Sequence, residues 1–173
     1  AATVNCTGRY GFYSGYQPGC LQYGHSGPVD LRTALEHSCN IFFYDVGRRL
    51  GVDTFSAMAQ QLGLATPTGV EVAEARGRLT WSSDGNYQAG LTLMAAIGQG
   101  NTAVTPLQLA AYAATLANYG QRPALHYADR AVSAATGETL WQYTPTFTAV
   151  PGGEAVFGPI RDGMKRMAQT TRV

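Results

Sequence analysis

Three side chains with useful chemistry follow one another at Ser38-Cys39-Asn40, between two stretches of helical period. Serine and asparagine compete for local backbone hydrogen bonds, so we expect one helix to end here and Ser38 or Asn40 to cap the next. A hydroxyl can relay a proton, and an amide can both donate to and accept from a peptide backbone. The triplet therefore predicts two polar side chains at a helix junction that point into the same open groove.

The cysteines leave three interpretations open. Cys6 and Cys20 lie in a segment rich in Gly and Tyr with no helical period, which a disulfide would constrain in an oxidising compartment. A zinc site from Cys6, Cys20, His25 and His37 is the rival interpretation, although no Cys-x-x-Cys or His-x-x-x-His spacing supports it. The third is that Cys6 and Cys20 are two separate reduced side chains that only fill space.

Other chemical signals are few. No G-x-S-x-G, H-E-x-x-H, P-loop or dinucleotide-binding fingerprint occurs. The run 98–101, Gly-Gln-Gly-Asn, predicts a tight turn between helices, and His126 is expected to be structural. Lys165 is the only lysine, and because arginine does not give up its proton, a mechanism that needs a lysine base has one candidate. We predict no cofactor and no metal.

Length and composition favour one domain over residues 1–173. The chain is 45% hydrophobic, and its 12 Lys+Arg residues against 11 Asp+Glu are scattered singly, so nucleic acid is not an expected partner. The longest apolar stretches fall short of the ~20 residues that span a bilayer, and residues 1–20 lack the features of a signal peptide. We therefore expect no membrane contact by these residues.

Periodicity and capping signals predict mostly helix with a few strands. Asp30 and Asp53 are expected N-caps, and Thr105 followed by Pro106 is the clearest helix start. The predicted helices are 31–37, 41–50, 54–62, 89–97, 106–118 and 154–169. Strands at 124–132 and 139–143 should form a hairpin, with a short extended ribbon near 70–77 and a loop at 145–151.

Several short motifs occur together in a recognisable order. They are Gly24-His25-Ser26-Gly27, Val29-Asp30-Leu31-Arg32-Thr33-Ala34-Leu35, Ser38-Cys39-Asn40-Ile41-Phe42-Phe43-Tyr44, Arg49-Leu50-Gly51, Gly69-Val70-Glu71, Ile97-Gly98-Gln99-Gly100, Val104-Thr105-Pro106-Leu107-Gln108-Leu109-Ala110 and Asn118-Tyr119-Gly120. In order and spacing they resemble the transpeptidase domain of class B penicillin-binding proteins, and the elongation-type members most of all. The resemblance covers nearly all of the chain.

The resemblance implies an α+β fold, the mainly helical portion of a transpeptidase domain of the serine β-lactamase-like kind. In that family, the serine of a Ser-x-x-Lys motif attacks the D-Ala-D-Ala stem peptide of peptidoglycan, or a β-lactam. A Ser-x-Asn triplet supplies a relay hydroxyl and a substrate-side amide, and a Lys-Thr-Gly strand forms the opposite wall. By motif match, Ser38 would be the relay hydroxyl and Asn40 the amide.

The chain departs from the family at two of its three motifs. The residue three before Lys165 is Asp162 and the residue after it is Arg166, so neither Ser-x-x-Lys nor Lys-Thr-Gly is present. In the family these motifs flank a segment like this one. We therefore expect an interior fragment of a D,D-transpeptidase that is itself inactive, because it lacks the nucleophile and the general base.

Further expectations follow from this fragment interpretation. The resemblance implies a parent at the extracytoplasmic face of the bacterial membrane, with its anchor outside these residues. The helices at 105–119 and 154–169 should expose apolar faces that associate with other copies or with the rest of the domain, unless Leu107, Leu116, Val156 and Ile160 are all buried within this chain. The alternative is a non-catalytic helical module for binding or interaction.

Overall fold

The computed structural model describes residues 2–21 and 24–170. In these residues six helices carry most of the regular structure, and three small antiparallel sheets of two strands each complete it. The helices are α1 Leu31–Glu36, α2 Asn40–Leu50, α3 Val52–Gln61, α4 Ala89–Ala96, α5 Pro106–Ala117 and α6 Gly153–Thr170. The strands are β1 Val4–Asn5, β2 Pro28–Val29, β3 Gln121–Pro123, β4 Arg130–Val132, β5 Thr139–Gln142 and β6 Phe147–Ala149. The α+β class with few strands is confirmed.

Local capping explains two of the helix starts. The Asp30 carboxylate accepts a hydrogen bond from the Thr33 amide at 2.9 Å and caps α1. Thr105 and Gln108 form a reciprocal capping box at the start of α5, with Pro106 at the first helical position. Both starts lie where the sequence predicts them, because each depends on residues within one helical turn.

Two predicted caps are wrong. The N-cap of α2 is Cys39, which makes no side-chain capping bond, rather than Ser38 or Asn40. Gly51 occupies the N-cap of α3, and the predicted cap Asp53 instead accepts hydrogen bonds from the backbone and hydroxyl of Ser82. Asn40 and Asp53 each form hydrogen bonds outside their own helix, Asn40 with the Gly19 carbonyl and Asp53 with Ser82.

The strand predictions are correct in part. The hairpin β4–β5 is present, with β4 shorter than predicted. The predicted ribbon near 70–77 is not a strand, and only Arg78 forms an isolated bridge there, with Ala103. The predicted loop at 145–151 instead contains β6, which pairs with β3 from Gln121↔Ala149 to Pro123↔Phe147.

Two clusters of buried side chains form the core. The larger one joins the irregular arm, residues 4–20, to α1, α2 and α4 through residues that include Cys6, Tyr10, Phe42 and Leu93. The smaller one joins α5, Val150 and α6 through Leu116 and Phe157. Helix α6 packs along α1. The irregular arm packs against α1 and α2 through the larger cluster.

The apolar faces of α5 and α6 are only partly covered. Leu116 is buried, Leu107 and Ile160 are half-buried, and the side chain of Val156 is 49% exposed. The expected association through these faces stays a prediction. Among the described residues, no helix combines the length and apolarity that a bilayer crossing needs.

Candidate functional site

Ser38 and Asn40 lie at the junction between α1 and α2, as the triplet predicts. Ser38 is exposed and has a φ of 52°, in the left-handed region that costs a non-glycine residue about 1 kcal/mol or more. The Cys39 amide donates to the Ala34 carbonyl at 2.9 Å and closes the end of α1. The tight turn directs the Ser38 side chain outward while Cys39 points into the core.

Both polar side chains line one open groove of about 520 Å³. Asn40 begins α2, and its amide nitrogen donates to the Gly19 carbonyl of the arm at 3.4 Å. The rest of the groove is mostly apolar, with walls from α1, α2, α4, α5 and α6 that are formed by Ala34, Leu35, Phe43, Ala96, Ile97, Tyr112, Leu116, Ile160, Met164 and Met167. Burial raises the pKa of the Tyr112 hydroxyl. The groove can therefore hold an extended ligand with one polar end at the triplet.

Lys165, the only lysine, does not reach this groove. It is exposed on α6 and lines a different cleft with Arg32, Glu154 and Asp162, in which Arg32 Nε and Asp162 are 2.8 Å apart. No amine is therefore placed to activate Ser38 within the described residues. His126 stacks on Tyr143 in an exposed loop, as expected for a structural imidazole.

A sulfur cluster lies directly behind the triplet. The ligand atoms of Cys6, Cys20, His25 and Cys39 all lie within 4.8 Å of one another. Around a tetrahedral zinc ion, bonds of about 2.0–2.3 Å separate neighbouring ligand atoms by roughly 3.5 Å, so a small contraction would close this cluster on a metal. The Cys6–Cys20 disulfide, one of the three interpretations left open by the sequence, stays an untested prediction.

This cluster shares Cys6, Cys20 and His25 with the rival zinc set considered from the sequence, from which we expected no metal. His37 stacks on the His25 ring with centroids 5.8 Å apart, and Cys39 takes the fourth place. Burial lowers the pKa of His25, as does the charge of His37 when protonated, which keeps the His25 imidazole in the neutral form that binds metals. Burial raises the pKa of the Cys39 thiol to about 12, so without a cation nearby it stays protonated.

The side chain of Tyr10 helps to fix the arm that carries Cys6 and Cys20 to α2. The Tyr10 hydroxyl donates to Asp45 at 3.0 Å and accepts from Arg48 at 2.7 Å. Burial is the main cause that raises the Tyr10 pKa, so the phenol stays protonated and keeps its donor. The arm is therefore held against the same helix that begins with Asn40.

Gln108, near the start of α5, was not singled out from the sequence. It is fully buried, its amide nitrogen donates at 2.9 Å to the carbonyls of Thr66 and Arg76, and its oxygen accepts from the amides of Ala65 and Thr105 at 3.2 Å. Only its place three residues after Thr105, which is typical of a capping box, could have pointed to it. It ties the loop after α3 to the start of α5.

Comparison with known proteins identifies the family to which this chain belongs. The family model described as "Penicillin binding protein transpeptidase domain" matches residues 7–171. The chain belongs to this family. Membership confirms the resemblance to penicillin-binding transpeptidases. The matched range includes the triplet, the groove and the residues of the sulfur cluster other than Cys6.

Individual relatives agree with the family match. The chain is 30% identical over 155 residues to the peptidoglycan D,D-transpeptidase MrdA of Salmonella typhimurium, which is 84% of this chain but 24% of that protein. A structure titled "Structural coordination of polymerization and crosslinking by a peptidoglycan synthase complex" superposes with a TM-score of 0.81 and 30% identity, over 98% of this chain and 29% of that one. Penicillin-binding protein A of M. tuberculosis, as its imipenem acyl-enzyme, shares the fold with a TM-score of 0.80 and 24% identity, over 99% of this chain and 40% of that one.

The chain matches only part of the length of these relatives. It spans about a quarter of the length of the curated relative named above. Its 173 residues contain the Ser-x-Asn triplet of the family pattern but neither Ser-x-x-Lys nor Lys-Thr-Gly.

Proposed function

We propose that this chain is the interior, mainly helical part of a peptidoglycan D,D-transpeptidase, and that Ser38 and Asn40 act in its active site. The observation that carries the proposal is that both side chains line one apolar groove at a helix junction inside a penicillin-binding transpeptidase domain. The exposed hydroxyl of Ser38 and the amide of Asn40 are the groups that relay a proton and hold a peptide backbone.

The reaction divides between this chain and residues outside it. A serine of the Ser-x-x-Lys kind attacks the penultimate carbonyl of the stem peptide, and an ester replaces the broken amide bond while D-alanine leaves. Ser38 passes a proton between the lysine amine and the leaving amine, and Asn40 holds the peptide. Without the nucleophile and the lysine, the 173 residues by themselves are inactive.

The partners of the whole enzyme follow from the same chemistry. They are the stem peptide of peptidoglycan and β-lactams, whose strained amide is opened by the same serine. The imipenem acyl-enzyme of the M. tuberculosis relative supports this choice. Because peptidoglycan lies outside the cytoplasmic membrane, the parent works at the extracytoplasmic face, with a membrane anchor outside residues 1–173.

Acylation kinetics test the two site residues. In the gene product extended at both ends, Ser38→Ala and Asn40→Ala should each slow acylation by fluorescent penicillin about 10²-fold or more, since each removes a group that acts in the transition state. The exposed Ser83 supplies the matched control, and Ser83→Ala should acylate at the parent rate. Parent rates in both groove variants would remove Ser38 and Asn40 from the mechanism.

The non-catalytic helical module remains the alternative outcome. Reading the gene outward from this segment separates the two. Ser-x-x-Lys upstream together with Lys-Thr-Gly downstream supports the enzyme, whereas stop codons at both ends support the module.

We also propose that Cys6, Cys20, His25 and Cys39 hold one zinc ion. Three sulfur ligands and one imidazole form a closed tetrahedral set of the structural kind, with no position left for a reacting water. Such an ion would join the arm to the start of α2. It would stabilise the fold because the unfolded chain has no preformed site.

Metal analysis tests the zinc proposal. The protein purified without chelator should contain one zinc per chain, and cobalt substitution should give the visible absorption of a thiolate-bound tetrahedral ion. His25→Ala should lose the metal, while His37→Ala, which changes the neighbouring imidazole, should keep it. Protein that takes up no zinc or cobalt under reducing conditions would refute the site.

A further inference from the structure

The hydrogen bond that orients the Asn40 side chain is weak by itself. The amide nitrogen of Asn40 donates to the Gly19 carbonyl across 3.4 Å, at a position open to water. A single long hydrogen bond that competes with solvent restrains a side chain little. Because a carbonyl oxygen accepts only from the nitrogen end of a carboxamide, this bond still determines which end of the Asn40 amide faces the arm. The orientation of the amide therefore depends on how firmly the arm holds Gly19.

The residues on either side of Gly19 are bonded across the arm. The Pro18 carbonyl accepts from the Tyr10 amide at 3.0 Å, and the Cys20 amide donates to the Gly8 carbonyl at 2.9 Å. The chain on either side of these bonds forms two legs of one narrow loop, and Gly19 lies on the second leg. A residue that fixes the first leg in space therefore also fixes the Gly19 carbonyl.

Tyr10 fixes the first leg to α2. Its side chain is buried, and its hydroxyl is bonded to two charged residues of that helix, to Asp45 at 3.0 Å and to Arg48 at 2.7 Å. Hydrogen bonds to ionised groups are about twice as strong as bonds between neutral ones. The Arg48 guanidinium also lies over the Phe12 ring, 3.8 Å from its centroid, which adds a second contact between the arm and α2.

These contacts connect the middle of α2, through the arm, to the start of the same helix. Asp45 lies five residues after Asn40, or about 8 Å along a helix that rises 1.5 Å per residue. We propose that Tyr10 is a positioning residue of the candidate active site, which holds the Gly19 carbonyl in place for the Asn40 amide. Tyr10 is not among the described residues that line the groove, so it acts through Asn40 alone. The inference rests on the proposed role of Asn40 in the transpeptidase reaction.

Removal of one oxygen atom breaks this connection. Tyr10→Phe keeps the ring in the core and leaves Asp45 and Arg48 paired with each other, since their own contact of 3.2 Å does not involve the phenol. The arm then loses its bonds to the two charged groups and can shift along α2 with Gly19. A misplacement of about 1 Å can cost roughly 10²-fold in rate, and the remaining core contacts of the arm should limit the loss here to about 10-fold.

A double-mutant cycle on acylation by fluorescent penicillin tests the positioning role. In the gene product extended at both ends, Tyr10→Phe should slow acylation about 10-fold. In an Asn40→Ala background the same change should slow it by less than about 2-fold, because the group that Tyr10 positions is absent. A loss of fold stability alone would slow both backgrounds equally. Arg48→Lys, which removes the Nε donor to Tyr10 but keeps a cation beside Asp45, repeats the cycle from the α2 side and should depend on Asn40 in the same way.

Tyr143→Phe is the matched control for the lost hydroxyl. The Tyr143 hydroxyl also donates one hydrogen bond, to the Ala124 carbonyl at 2.9 Å, in an exposed part of the chain that does not line the groove. This variant should acylate at the parent rate in both backgrounds.

The outcomes separate this inference from the proposed function. If Asn40→Ala is slow while Tyr10→Phe and Arg48→Lys acylate at the parent rate, this inference is refuted alone and the role of Asn40 stands. Equal slowing by Tyr10→Phe in both backgrounds also refutes it, since Tyr10 would then act on the fold rather than on Asn40. A parent rate in Asn40→Ala refutes the proposed role of Asn40, and the positioning role of Tyr10 with it.

Discussion

Cys39 belongs both to the Ser38-Cys39-Asn40 triplet and to the sulfur cluster. It is the middle residue of the triplet, and it is fully buried between the exposed Ser38 and the groove-lining Asn40. Its sulfur belongs to the cluster that includes Cys6 and Cys20. A change at this position would therefore alter the helix junction and the sulfur cluster together.

The buried side-chain amide of Gln108 forms hydrogen bonds with several backbone groups. Gln108→Met keeps the length of the side chain but leaves the Thr66 and Arg76 carbonyls and two backbone amides without this partner. The free energy of unfolding should fall by about 2–4 kcal/mol, the range for buried polar groups left unsatisfied. Chemical denaturation measures it.

Gln61 supplies the comparison for this test. It is exposed at the end of α3, so Gln61→Met should change the free energy of unfolding by less than about 0.5 kcal/mol. Equal losses at the two positions would mean that the Gln108 hydrogen bonds do not stabilise the fold.

Sequence predicted that Ser38 and Asn40 lie at a helix junction and line one groove, but not which residues surround them. Ser38 and Asn40 could be found because a short motif carries them. The choice of Cys39 over His37 in the sulfur cluster depends on which side of the turn after α1 faces the arm. That direction is set by the left-handed φ of Ser38, which no local pattern announces.

At the level of elements, α2 and α4 approach each other where one glycine allows it. Gly47 is buried in α2, and a Cβ atom added there would lie 2.5 Å from the Ala96 Cβ. Glycine inside a helix costs about 1 kcal/mol relative to alanine, so its presence is explained by this contact. Gly47→Ala should therefore lower the free energy of unfolding by about 1–3 kcal/mol through overpacking.

A double-mutant cycle isolates this contact. In the background of Ala96→Gly, the same Gly47→Ala change has room for its methyl group and should raise the free energy of unfolding by about 0.5–1 kcal/mol. The opposite sign in the two backgrounds is the expected result. The same loss in both would show that Gly47 is needed for another reason.

Helices were easier to predict than strand pairs for a physical reason. The start of α5 depends on Thr105, Pro106 and Gln108, which lie within one turn. The β3–β6 pair joins residues 121–123 to 147–149 across an intervening hairpin, and each strand has only three residues. A long-range pairing of short strands leaves no periodicity to detect.

At the level of the whole molecule, the two proposed active-site residues lie along one open groove. The groove has its polar residues at the α1–α2 junction, and Met164 and Met167 on its apolar side remain 42% and 39% exposed. The proposed function predicts that further elements of the transpeptidase domain cover this surface. In the proposed function, this chain positions the substrate and the attacking group comes from outside residues 1–173.

Labelling with fluorescent penicillin tests this account most directly. Two proteins are compared under the same conditions, the 173-residue chain and the gene product extended at both ends. The account predicts no covalent label on the chain and a stoichiometric label on the extended product, at the serine of a Ser-x-x-Lys motif outside residues 1–173. A label on the 173-residue chain that mutation of one of its own serines abolishes, or an extended product that never acylates, would contradict it.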